Sequence, residues 1–154
     1  MVTAGGAAMA RRSPVRAVTL LFGAVFLLVG VAGFIPGLTT DFGDFGFAGE
    51  SSTATLLGTF QVSVLHNLVH LLFGVAAVAM ARSETGARTF LVGGGTIYLV
   101  LWIFGLVVHG GDGKGNFIPV NTADNWLHLG LALTLLGLGL LLPAPAPASR
   151  TAVR

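Results

Sequence analysis

Four stretches of this chain, Ala17 to Ile35, Leu56 to Ala81, Thr89 to Val108 and Trp126 to Leu142, contain no Lys, Arg, Asp or Glu. A helix crosses a hydrocarbon core of roughly 30 Å with about 20 mostly apolar residues, so each stretch is long enough to span a bilayer. Their ends are marked by Pro36-Gly37, Arg82, Gly110-Gly111 and Pro143. Only 9% of residues are charged and 54% are hydrophobic, against about 25% charged in ordinary soluble domains. A chain so apolar cannot cover itself with polar surface in water. The expected fold is all-α, an integral membrane four-helix bundle over residues 17–142.

Basic residues set the orientation of short loops. Arg11, Arg12, Arg16, Arg82, Arg88, Arg150 and Arg154 fall on one side of a four-span arrangement, and Lys114 alone falls on the other. Asp41, Asp44, Glu50, Asp112 and Asp124 lie with Lys114. Both termini are therefore expected in the cytoplasm, in a multi-pass protein of the cell membrane. Residues 1–16 read as a disordered basic tail, and the Pro/Ala-rich residues 143–154 as a second tail. Val31-Ala32-Gly33 resembles a signal-peptide cleavage site, but the preceding apolar run exceeds the usual ~7–15 residues, which predicts a retained span. Basic residues confined to helix ends exclude a nucleic-acid surface. With no cysteine there is no disulfide, thiolate ligand or cysteine nucleophile, and no clue to redox environment.

The chain has 23 glycines, many inside the spans. Gly23, Gly30 and Gly37, and likewise Gly130 and Gly137, are seven apart, while Gly94 or Gly95, Tyr98, Trp102, Gly105 and His109 share a face of span three. Small residues at helical spacing let helices approach closely where lipid offers no hydrophobic gain. Packing within the bundle is the simplest use of them, and a homo-oligomer contact would use the same chemistry. Asp41-Phe42-Gly43 and Asp44-Phe45-Gly46 mimic a kinase triplet without any other kinase element. With Phe47 they suit a loop lying on the membrane interface. His109 and Asp112 are expected to be solvated at the outer end of span three.

The most informative residues are the polar ones inside apolar stretches. Val62-Ser63-Val64-Leu65-His66-Asn67-Leu68-Val69-His70-Leu71 matches Val120-Asn121-Thr122-Ala123-Asp124-Asn125-Trp126-Leu127-His128-Leu129 at a constant offset of 58. Val, Asn, His and Leu are identical at four positions, Ser63 and Asn121 are both N-cap types, and His66 pairs with Asp124. This pattern predicts two pseudo-symmetric helical hairpins related by an axis along the membrane normal. Asn121 with Asp124 at N3 forms a capping-box pattern. Ser63 in the same role would start the second crossing at Val64 and leave Thr53 to Gln61 at the outer interface. His70 and His128 would then lie at one depth.

His66 and His70 share a helix face at i,i+4, as do Asp124 and His128. His66, His70, His128 and Asp124 could therefore supply a divalent metal site, and histidines on two helices could ligate a haem. The plainer reading is a structural polar cluster, Ser63, Asn67, Asn121 and Asn125 with these histidines, whose hydrogen bonds set the register of the bundle.

Gly33-Phe34-Ile35-Pro36-Gly37, the run Val64 to Gly74, Tyr98, and Val120-Asn121 through His128 together resemble a family of small bacterial four-span membrane proteins known only as a domain of unknown function. The resemblance covers about Val18 to Leu142. It implies the four-span architecture, with Ser63 standing where Asn is expected, and carries no activity, substrate or ligand. No nucleophile–base pair or phosphate loop is visible, so an enzyme is not expected. A non-enzymatic membrane module or accessory subunit, with the lipid bilayer and a membrane-complex component as partners, ranks first. A metal- or haem-binding protein ranks second. A small transporter or proton-handling protein ranks third, since neither a broken helix nor a charged path through the inner leaflet is seen.

Overall fold

The computed structural model describes residues 13–109 and 120–143. Residues 1–12 and 144–154 of the two tails and the loop carrying Gly110-Gly111, Asp112 and Lys114 lie outside these residues, as do Arg11, Arg12, Arg150, Arg154 and the His109 side chain, whereas residues 14–16 of the expected N-terminal tail are helical. Four helices dominate: α1 (Pro14–Ala32), α2 (Val64–Met80), α3 (Glu84–His109) and α4 (Thr122–Leu141). Three of them are long and apolar enough to cross a membrane, whereas α2 is apolar but has 17 residues.

Local chemistry explains the boundaries. Pro14 opens α1 at a position where its missing N–H costs nothing. That start precedes the charge-free stretch by three residues and takes Arg16 into the helix. Arg16 Nε donates to the Ala81 carbonyl across 2.7 Å, satisfying the end of α2. The Ser63 side chain caps α2 by accepting the His66 N–H at 3.1 Å, so the overlong second stretch does divide at Ser63. Only Ala81 to Ser83 separates α2 from α3. The Ser83 hydroxyl accepts the Gly86 N–H at 3.0 Å, and Glu84 sits in the first turn, where the helix dipole favours it. Helix α3 thus starts five residues before Thr89 and includes Arg88. The two Arg88 amino groups donate to the carbonyls of Gly139 and Leu142, closing the end of α4.

The α1–α2 connection is not purely irregular. It contains β1 (Thr39–Thr40), β2 (Thr55–Leu56) and β3 (Phe60–Gln61), paired antiparallel in that order. Leu57 and Gly58 both have positive φ, 53° and 66°, in the three-residue turn between β2 and β3, which the Thr59 N–H closes by donating to the Leu56 carbonyl at 3.1 Å. Ala54, Leu56 and Val62 form a small core beneath it, packed on Val29 and Ala32 of α1.

Contacts between helices recur at fixed numbering. Each α1 residue corresponds to the α3 residue 72 positions on, and each α2 residue to the α4 residue 58 on. Arg16 on Ala81 becomes Arg88 on Gly139. Gly23 against the Gly74 carbonyl becomes Gly95 against Ala132, and Gly33 against the Asn67 carboxamide becomes Gly105 against Asn125. These pairings run α1 antiparallel to α2, and α3 antiparallel to α4. Phe26 and its counterpart Tyr98 stack on each other, centroids 5.8 Å apart and planes 9° from parallel, so α1 and α3 meet side by side and parallel. Phe26 also meets Phe73 and Phe90 edge-on, and this aromatic knot is the centre of the main core. The 14-residue difference between the two offsets is extra chain in the first connection, where the sheet lies.

Polar and apolar groups are distributed inside-out. Asn67, Thr19 and Ser63 are fully buried, and Asp124, Asn125 and His128 nearly so. Outward, every helix carries large exposed apolar side chains at helical spacing: Leu21, Val25 and Leu28 on α1, Leu68, Leu72 and Val75 on α2, Ile97, Val100 and Ile103 on α3, and Trp126, Leu133 and Leu140 on α4. Thr19 bridges helices by donating to Val15 O within α1 and lying 3.3 Å from Ala87 O of α3.

Candidate functional site

The Ser63 cap fixes the first turn of α2 and so aims His66 and His70, one turn apart, toward α3. Their rings stack, centroids 4.5 Å apart and planes 9° from parallel. His70 Nδ1 lies 3.0 Å from the His66 carbonyl oxygen. A carbonyl can only accept, so this nitrogen carries the proton and Nε2 is left as the acceptor. His70 packs edge-on against Phe26 at 5.8 Å, and its counterpart His128 packs against Tyr98 at 5.4 Å. The two histidines thus flank the stacked Phe26–Tyr98 pair from opposite hairpins.

Between α2 and α3 lies a cavity of about 270 Å³. Ser63, Leu65, His66, Val69, His70 and Phe73 form one wall, Ile97, Tyr98 and Leu101 the other, and His128 reaches it from α4. The structure therefore brings together three of the four sequence-predicted ligands. Asp124 is placed elsewhere. Its Oδ2 accepts the N–H of Asn121 at 3.1 Å and of Gln61 at 2.9 Å, while Asn121 Oδ1 accepts the Asp124 N–H at 2.9 Å in a full capping box. Asn121 Nδ2 also donates to Thr59 O at 2.7 Å. The carboxylate holds the sheet against α4.

No group of three or more His, Asp or Glu side chains among the described residues is placed to hold one metal ion. The cause is visible in the histidine pair. Stacked parallel rings direct their lone pairs alongside each other, whereas a shared ion at about 2.0–2.1 Å from each nitrogen needs them to converge.

Asn67 and Asn125 occupy equivalent places under the ends of their hairpins. Each carboxamide fills the space a side chain at Gly33 or Gly105 would take. Among the described residues, neither polar atom of the Asn67 side chain has a hydrogen-bond partner, and Asn125 Oδ1, Trp102 Nε1 and His128 Nδ1 are likewise unpaired. Buried polar atoms are usually satisfied, so these atoms mark a polar interior that is not closed on itself.

The two halves differ where the extra chain lies. Val29 of α1 is covered by Ala54, Leu56 and Val62, whereas its counterpart Leu101 of α3 lines the cavity. Asp124 is bonded to Gln61, whereas its counterpart His66 faces the cavity. Sequence reasoning missed the walls formed by Phe73, Ile97 and Leu101, the central role of Phe26, and the capping roles of Arg16 and Arg88. The 72-residue offset would have shown the last two. It was hidden because the repeat was legible only between α2 and α4.

Residues 16–141 match the family described as a domain of unknown function, DUF4383. The chain belongs to this family. The matched region takes in α1 from Arg16 onward, the other three helices, the sheet and every cavity residue, so the site is part of the family domain rather than of the tails. No curated protein and no solved structure matches the chain.

Proposed function

We infer that the chain is a four-span integral membrane protein, a bundle of two pseudo-symmetric hairpins with both termini in the cytoplasm, acting as a non-enzymatic membrane module. The observation that carries this reading is the exposed apolar face on every helix, α2 included. Leu28, Leu72 and Leu140 are 70%, 67% and 66% exposed while Asn67 and Thr19 are fully buried. A continuous apolar belt on all sides far exceeds the patches of a few hundred Å² usual in water, and lipid is the solvent it fits. At about 1.5 Å per residue, α2 rises roughly 25 Å, near the hydrocarbon thickness, and the Ser63 cap places its polar start at the interface. Arg16, Arg82 and Arg88 share one end of the bundle, opposite the sheet with Asp41 and Asp44, which favours that end as cytoplasmic.

Because the chain lacks cysteine, single-cysteine variants test this directly. A membrane-impermeant thiol reagent applied to intact cells should label Asp44→Cys and leave Thr85→Cys unlabelled until the membrane is opened. Labelling of Thr85→Cys in intact cells would refute the orientation. The second reading, a metal or haem held by His66, His70 and His128, is favoured by their shared cavity. It requires the stacked imidazoles to turn apart. Elemental analysis and the absorption spectrum of the purified protein decide it.

A further inference from the structure

We propose that the cavity between α2 and α3 binds an uncharged, membrane-dissolved molecule whose polar end is a hydroxylated ring, a lipophilic phenol or hydroquinone. The proposal rests on the membrane reading above.

Size sets the first limit. A dry apolar cavity of ~150 Å³ accepts benzene, so about 270 Å³ takes one substituted ring and the start of a chain. Shape sets the second. The walls include the rings of Phe73 and Tyr98, which touch edge-to-face with centroids 5.8 Å apart and together offer an aromatic surface against which a flat group packs.

Charge sets the third limit. Among the described residues no Asp, Glu, Lys or Arg lines the cavity, so an ionised ligand would be buried without a counter-charge from them, at high cost. Polarity nevertheless is present. The proton on His70 Nδ1 is committed to the His66 carbonyl, which leaves Nε2 to accept a hydrogen bond. His128 is 4% exposed and its Nδ1 has no partner among the described residues. A neutral hydroxyl that donates to His70 Nε2 meets this acceptor, and a pure hydrocarbon does not. Access comes from the side. Val69 and Ile97, 40% and 48% exposed, stand at the outer rim among the apolar belt, so a lipid-dissolved molecule enters without passing through water.

The test uses the full chain in lipid vesicles with a diazirine-bearing alkylphenol, adducts being mapped by mass spectrometry. Recovery in carbonate-washed vesicles reports membrane insertion separately, so failure of that reading is distinct from failure of this one. Adducts should concentrate near Val69 and Ile97. 4-Hexylphenol should compete at about one-tenth the concentration of hexylbenzene, the effect of one hydrogen bond. His70→Phe should bring that ratio to near 1 while leaving hexylbenzene competition intact. Val69→Trp, at a half-exposed site that tolerates bulk, should abolish labelling. Equal competition by the two probes in the wild type, adducts spread over all four helices, or full labelling of Val69→Trp would overturn the proposal.

Discussion

Helix α3 contains three consecutive glycines, and the structure assigns them different roles. A methyl group at Gly93 meets nothing within 4 Å, and one at Gly94 meets only side-chain carbons of Leu135 and Phe73, both at 3.8 Å. At Gly95 it would lie 2.8 Å from the backbone nitrogen of Leu136 and 3.1 Å from the Ala132 carbonyl. Ordinary contacts begin at 3.4 Å, so α3 and α4 would have to part by about 0.6 Å in an interior packed too densely to absorb the change. Replacing Gly by Ala also raises helix propensity by about 1 kcal/mol, but that gain is common to Gly93→Ala and Gly95→Ala. Their difference therefore isolates the clash, about 1–3 kcal/mol for an overpacked contact. Unfolding of both variants in one detergent, followed by circular dichroism, measures it. Gly95→Ala should be the less stable by that amount. Equal stability, or Gly95→Ala the more stable, would refute the close approach of α3 and α4.

Two further predictions concern polar groups at the bundle ends. Asp124→Ala removes the acceptor of the capping box and leaves the Gln61 N–H unpaired, which should cost about 2–3 kcal/mol; hydrogen exchange at the Gln61 amide should accelerate, and unchanged exchange would contradict the anchoring of β3. Arg88→Ala should destabilise by about 1–3 kcal/mol because two carbonyls at the end of α4 lose their donor, whereas Arg82→Ala, at an exposed position, should stay within about 0.5 kcal/mol. Similar losses for both arginines in chemical unfolding would mean that charge alone, and not the Arg88 hydrogen bonds, matters there.

The asymmetry of the two halves gives the site its character. One scaffold is used twice, yet the first connection covers one flank with a sheet pinned by Asp124, while the matching flank on the second hairpin is the cavity with His66 in the place of Asp124. A single exchange of side chains at equivalent positions separates a structural anchor from a cavity-facing group. This is why a symmetric reading of the repeated motif assembled four ligands, although only the three histidines share a space.

What the sequence determined by itself was set by neighbours within one turn. The caps at Ser63 and Asn121, the capping box with Asp124 and the division of the overlong second stretch follow from side chains reaching backbone three residues on. The apolar stretches and the repeated polar motif follow from periodicity and solvent. The small sheet was not foreseen, since strands of two residues carry no periodic signal and are held by partners far along the chain. Only the tertiary structure decided which glycine in a run of three lies closest to the opposite backbone, which polar groups are already engaged, and where the cavity opens. Each of these depends on the opposite helix surface, on the depth and angle at which two backbones meet, and a one-dimensional pattern constrains that meeting only through the sum of all its contacts.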